Sequence, residues 1–172
     1  MGIRRQAREA ALQAIFRCDF LNDWNANEAK FCINHFSQEE TPQSFSSQLC
    51  KGLIENLLKI DTRITRASEN WSLSRMSRVD RSIIRLATFE IVYLEEVPIN
   101  VSINEAIEIA KKFGADESST FVNGVLDKVA FHYRSEQKLI ADGKLNIEID
   151  NLNIDNDDLP NIFHAEKIVA KG

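Results

Sequence analysis

Residues 79–94 read VDRSIIRLATFEIVYL, and this stretch decides the fold class because apolar side chains would cover most of its circumference as an α-helix. One stripe at helical spacing consists of Val79, Ile83, Ala87, Ile91 and Leu94. The pattern ends before Pro98, which disfavours a helical residue in front of it. We therefore predict that this helix is the central, most buried element. Glu90 lies among its apolar residues, so it must be paired or at the surface, since an unpaired buried carboxylate is costly.

Three helices are predicted on the amino-terminal side. The first has a buried stripe of Ala7, Ala11, Ala14, Ile15 and Cys18. The residues mostly off that stripe are Arg4, Arg5, Arg8 and Glu9. A short second helix is indicated by Ala29, Ile33 and Phe36. Thr41 and Pro42 are typical of an N-cap followed by a first helical residue, and helical spacing then continues to about Ala67. We expect this third helix to be the longest.

Two helices are predicted on the carboxyl-terminal side. Ser102, Ile103, Asn104 and Glu105 form a capping box, which predicts a helix start, and Gly114 is placed to stop that helix. Asp116 is then expected to cap a last helix that runs to about Arg134. Six helices with short connections and no convincing strand predict an all-α fold, a compact helical bundle.

The segment after Arg134 has a different composition. Residues 135–172 hold four basic and eight acidic residues, a net charge of −4, which is most of the formal charge of −5. Asp142 and Gly143 predict a turn. Apolar residues then alternate at strand spacing at Leu145, Ile147 and Ile149, and a short helix is indicated over Asn161–Ala170. We predict one helical domain at residues 1–134 and a partly flexible acidic extension at residues 135–172.

Several function classes are disfavoured by the composition. No stretch approaches the roughly 18 apolar residues that a membrane span needs, and the first residues do not resemble a secretory signal, so we expect a cytoplasmic protein. Three cysteines and three histidines lie too far apart in sequence for a paired metal site. No convergent catalytic set is recognisable, and no cofactor or metal is implied. We predict a protein that is not an enzyme.

The amino terminus forms a local basic patch, because four arginines within the first eighteen residues face a single acidic residue, Glu9. They are Arg4, Arg5, Arg8 and Arg17. Two interpretations remain open on charge alone. The patch is either a solvated helix face, which is common, or a surface that binds phosphates of a nucleic acid.

Four segments together resemble the NusB family of transcription antitermination factors. They are residues 4–10 (RRQAREA), 79–87 (VDRSIIRLA), 97–114 (VPINVSINEAIEIAKKFG) and 121–128 (FVNGVLDK). The resemblance extends in order from about residue 3 to residue 130. It implies two packed helical subdomains and a non-enzymatic adaptor that binds boxA RNA together with NusE, a small-subunit ribosomal protein, in the transcription elongation complex. It also implies a role on ribosomal RNA operons, and some members of the family form homodimers.

The resemblance assigns residues to two surfaces. For RNA it implies Arg4, Arg5, Arg8, Lys111, Lys112, Glu117, Ser118 and Phe121. For NusE it implies Phe16 and Asp80. Three of these have equally simple structural interpretations: Phe121 and Phe16 as core residues, and Asp80 as a helix cap.

Two alternative functions stay open at this point. The chain could be a general RNA-binding or ribosome-assembly scaffold. It could also be the NusB-like module that precedes RNA methyltransferase domains, although nothing after residue 134 predicts a cofactor-binding α/β domain.

Overall fold

The computed structural model describes residues 2–36, 43–68 and 71–143. This part of the chain folds into seven α-helices and one short 3₁₀ helix, with no strand. The elements are α1 (Ile3–Leu21), α2 (Ala26–Phe36), α3 (Gln43–Glu55), α4 (Leu57–Ala67), the 3₁₀ helix (Leu73–Arg75), α5 (Arg78–Tyr93), α6 (Ile99–Phe113) and α7 (Ser118–Ala141). The predicted cap at Thr41 and Pro42 and the predicted features after Gly143 lie outside the described residues.

The fold is the predicted all-α bundle of two packed subdomains. Helices α1, α2 and α3 pack against one another, and α4 to α7 form the second group. Helix α5 lies at the centre and contacts α1, α3, α4, α6 and α7. Every residue from Ser82 to Ile91 is buried, which confirms that this helix is the most enclosed element. The N-cap of this helix is Ser77, not Asp80, and the Ser77 hydroxyl accepts a hydrogen bond from the Asp80 N–H at 3.0 Å. Asp80 itself lies in the first turn.

A buried ion cluster fixes the orientation of α1 against α4 and α5. The guanidinium group of Arg85 donates to both oxygens of Asp61 at 2.7 and 2.8 Å, and to Asp19 at 2.6 Å. Arg81 donates to Asp19 as well. Removing any partner would leave a buried charge uncompensated, so the cluster specifies how the two subdomains meet.

The prediction of one long third helix is wrong, because the chain turns at Asn56 and forms α3 and α4. The Asn56 side-chain amide donates to the Gly52 carbonyl oxygen at 2.8 Å, and its backbone N–H donates to both Gly52 and Leu53. Apolar spacing continues through the turn, so periodicity does not reveal it. Helix α7, with 24 residues, is the longest described helix.

The predicted capping box is also wrong. Helix α6 begins at Ile99, directly after Pro98, whose fixed φ suits the N-cap position. Ser102 is buried inside the helix, and Glu105 extends toward α1. Gly114 ends the helix as predicted.

Helix α7 differs from its prediction at both ends. Its N-cap residue is Glu117, not Asp116, and the preceding turn is closed when the Ala115 N–H donates to the Ser118 hydroxyl at 2.9 Å. The helix continues past Arg134 to Ala141, because Glu136 accepts hydrogen bonds from Arg63 and Arg66 of α4. The predicted turn follows, with Gly143 at a φ of 66°.

Candidate RNA and partner surfaces

Arg5 joins the amino end of α1 to α6. Its Nε and Nη2 atoms donate to the two carboxylate oxygens of Glu105, both at 2.8 Å. The hydrogen bonds from Arg5 hold the pKa of Glu105 below its usual value, and those to Glu105 raise the pKa of Arg5. Arg5 is one-third exposed, so this predicted RNA contact lies at the surface but already has an anionic partner.

Arg8 occupies a different position from the one predicted. Its guanidinium group donates three hydrogen bonds of 2.7–3.1 Å to Glu90 of α5. The side chains are only 4% and 2% exposed, so the expectation that Arg8 lies off the buried face was wrong. Glu9 is buried too. Of the two alternatives for Glu90, paired or at the surface, the structure shows the paired one. Burial raises the pKa of Glu90, although the hydrogen bonds from Arg8 oppose that shift.

Arg4 is the arginine that the start of α1 presents to solvent. It is exposed, and its guanidinium carbon lies 5.3 Å from the ring centroid of Phe45. Unlike Arg5 and Arg8, it forms no ion pair with a described carboxylate. Its charge is therefore available to an external anion.

Two lysines lie at the end of α6. Lys111 pairs with Glu108 at 2.7 Å on the same helix, and Lys112 pairs with Glu9 of α1 at 2.6 Å. Both lysines are exposed, and the Lys111–Glu108 pair is exposed on both sides, so it contributes little to stability and can exchange partners. Glu9 is buried, so the Lys112–Glu9 pair also compensates a buried carboxylate. The hydrogen bond from Lys111 lowers the pKa of Glu108.

The start of α7 contains the last predicted RNA residues. Glu117 is exposed and Ser118 is buried by its role in the turn. Phe121 is half-buried and packs against the core, as one of its two interpretations required. Its ring also meets Trp71 in a T-shaped contact, with centroids 6.1 Å apart. Trp71 was not identified from the sequence as a candidate site residue. A tryptophan within a polar stretch was the feature that could have indicated it.

An open apolar depression of about 420 Å³ lies between α1, the start of α5 and the end of α6. It is lined by Leu12, Gln13, Phe16, Arg17, Phe20, Val79 and Phe113. Phe16 is half-buried and stacks on Phe20, which is 62% exposed. Asp80 follows Val79 at the start of α5 and is mostly buried. One of its carboxylate oxygens, Oδ1, has no hydrogen-bond partner.

These features define a small helical protein with exposed basic side chains and an open apolar depression on the described part of its surface. In residues 2–36, 43–68 and 71–143 there is no group of three potential metal ligands. The same part of the chain contains no helix with the length and hydropathy of a membrane span. The model of the NusB family matches residues 5–131, and the chain belongs to this family of transcription antitermination proteins.

Curated relatives and solved structures agree with this assignment. The transcription antitermination protein NusB of Geobacter sp. (strain M21) is 48% identical over 139 residues, which cover 76% of this chain and 95% of the relative. NusB of Bacillus subtilis (strain 168) is 48% identical over 126 residues, which cover 73% of this chain and 93% of the relative. The structure of T. maritima NusB superposes with a TM-score of 0.70 at 37% identity, and the match covers 80% of this chain and 96% of that structure. A structure titled as a plectonemic RNA supercoil, at 23% identity and a TM-score of 0.71, shows the same fold.

Proposed function

We propose that this chain acts in antitermination by binding a boxA-type RNA element jointly with NusE, as a non-enzymatic part of the transcription elongation complex. The proposed partners follow from the family to which the chain belongs. A factor that acts on nascent transcripts works in the compartment that holds RNA polymerase, which supports a cytoplasmic location.

The observation that carries this proposal is that a cationic surface, formed by the exposed Lys111 and Lys112, meets the apolar depression at the end of α6. Lys112 lies with its ammonium nitrogen 5.0 Å from the ring centroid of Phe113. Lys112 belongs to the cationic side, and Phe113 lines the depression. RNA on one side and a protein on the other would therefore be direct neighbours, as cooperative assembly requires.

The RNA side uses charges that are exposed and exchangeable. Arg4 has no carboxylate partner among the described residues, and the partner of Lys111, Glu108, is exposed. Phosphate oxygens can displace such an exposed partner at little cost. Lys112 is exposed too, but its partner Glu9 is buried, so we expect Lys112 to add phosphate as a second partner while keeping Glu9. Glu117 and Ser118 lie at the start of α7, where the helix dipole favours anions, although the Ser118 N–H already donates to the Ala115 carbonyl oxygen at 2.9 Å.

The protein side has the shape and chemistry of a docking site. The depression presents aromatic rings at Phe16, Phe20 and Phe113, and aromatic residues are enriched in interface cores. Asp80 adjoins the depression through Val79, although its unpaired Oδ1 atom is buried and is not presented to a partner. We assign this depression to NusE.

Calorimetry tests the proposal with boxA RNA and NusE, separately and together. Each partner should increase the affinity for the other by the same factor, because binding free energies are reciprocal. Equal RNA affinity with and without NusE would reject joint binding. RNA binding with no boxA preference would instead identify a general RNA scaffold.

Phe16→Ala should weaken NusE binding and leave the affinity for RNA alone unchanged. The matched control is Phe131→Ala on α7, which removes an aromatic ring that is 67% exposed and does not line the depression. If the two variants bind NusE equally well, the depression is not the docking site.

A further inference from the structure

Trp71 is an exposed aromatic residue with a fixed backbone. Its indole is 47% exposed, and its backbone N–H donates to the Ser68 carbonyl oxygen at 2.8 Å, just after α4. Its ring meets that of Phe121 in a T-shaped contact, with an interplanar angle of 68°. About half of the Trp71 residue remains in solvent beside this contact.

Arg75 completes this group. Its guanidinium carbon lies 5.0 Å from the Trp71 ring centroid, and its backbone is held by an N–H to Ser72 carbonyl bond of 3.0 Å in the 3₁₀ helix. Arg5, Arg8, Arg63, Arg81 and Arg85 each bind a carboxylate. Arg75 forms no ion pair with any described carboxylate, so an anion could bind it without displacing one.

We propose that Trp71, packed against Phe121, and Arg75 form a stacking platform for an unpaired RNA base, with Arg75 binding the adjacent phosphate. This platform extends the RNA surface to the 3₁₀ helix, and the inference rests on the proposed RNA-binding function. Aromatic faces bind single-stranded bases of any identity, whereas bases in a duplex are already stacked. An arginine beside the ring can supply both phosphate binding and cation–π attraction.

The location supports RNA as the occupant. Phe121 lies in the first turn of α7, three residues after Ser118, so the platform adjoins the helix start that belongs to the proposed RNA surface. The cation without a carboxylate partner complements a polyanion. A purely apolar partner segment would gain nothing from Arg75.

The experiment compares the full chain with Trp71→Leu, Trp71→Phe and Arg75→Gln, using a single-stranded boxA oligonucleotide and a duplex of the same length. Trp71→Leu should weaken single-strand binding roughly 5- to 150-fold and leave duplex binding unchanged. Trp71→Phe should retain most of the affinity. Arg75→Gln should reduce the salt slope by about 0.7, the value for one phosphate on a single strand. Phe131→Leu, which alters an exposed aromatic elsewhere on α7, should match the unmodified chain.

Tryptophan fluorescence provides a second readout, because RNA quenching of Trp71 is measured on the unmodified chain. The single strand should quench the unmodified chain more than Trp71→Phe, in which Trp24 is the remaining indole. Unchanged single-strand affinity in Trp71→Leu, together with no difference in quenching, would overturn the platform. Loss of NusE binding with unchanged RNA binding would also overturn it, by identifying a protein contact. Failure of the unmodified chain to bind RNA would instead reject the proposed function.

Discussion

Replacing Arg8 by Ala should destabilise the fold strongly, because Arg8 compensates the charge of Glu90. The pair is joined by three hydrogen bonds of 2.7–3.1 Å, and the two side chains are 4% and 2% exposed. Removing one partner of a buried ion pair costs about 3–5 kcal/mol, since the other charge remains desolvated. The variant also loses the weaker attraction between Arg8 and Glu105, whose closest atoms are 3.8 Å apart.

Thermal unfolding measures this cost directly. For a domain of this size each kcal/mol lowers the Tm by roughly 2–4 °C, so Arg8→Ala should lower it by roughly 6–20 °C. The salt slope of RNA binding, measured well below the new Tm, should stay unchanged because the guanidinium group is not presented to solvent.

The pH dependence of Arg8→Ala follows from the direction of the Glu90 shift. Burial raises the pKa of Glu90, and loss of the opposing hydrogen bonds from Arg8 raises it further. The folded state then binds a proton more readily than the unfolded state does. Stability therefore increases as the pH falls through the folded-state pKa. The difference in unfolding free energy from the unmodified chain should be smaller at about pH 5 than at about pH 7.5.

A double variant controls for the lost side-chain volume. Arg8→Met with Glu90→Leu removes both charges and leaves apolar groups that can pack, so it should be more stable than Arg8→Ala alone. If Arg8→Ala unfolds within about 1 kcal/mol of the unmodified chain and also lowers the RNA salt slope by about one unit, the reasoning is refuted. Arg8 would then be the RNA contact that the sequence suggested.

Three further predictions concern packing, RNA binding and the acidic extension. Gly52→Ala should lower the Tm, because a Cβ atom there would lie 2.2 Å from Cζ of Phe89, whereas Gly124→Ala meets nothing within 4 Å and should stabilise α7 by about 0.5–1 kcal/mol. A similar loss in both variants would contradict the packing argument. Arg4→Ala should lower the salt slope of RNA binding by about 0.7 and lower the Tm only slightly, through loss of its contact with the Phe45 ring. An unaltered slope would remove Arg4 from the interface. Deleting residues 144–172, which carry three basic and six acidic residues, should tighten RNA binding most at low salt, where screening is weakest. A lower Tm with unaltered RNA affinity would show instead that the segment stabilises the fold.

Strong local sequence patterns correctly predicted helices and one helix end. The apolar circumference of residues 79–94 predicted the central helix, and Gly114 marked the end of α6. Local patterns failed where a neighbour in space decides the backbone. The turn at Asn56 interrupts a helical apolar spacing that continues through it. Helix α6 begins at Ile99, before the capping box that predicted its start.

The sequence by itself determined the all-α class, the central helix and, by resemblance, the family. Helical periodicity carries that information because it depends on side chains three and four residues apart. Only the tertiary structure decided what the charged residues do. Arg8 and Glu90 are 82 residues apart in the chain, and Arg5 and Glu105 are 100 apart, yet each pair forms a bidentate contact. The sequence alone does not show whether a basic residue faces solvent or a buried carboxylate. Its role is decided by the helix that packs against it.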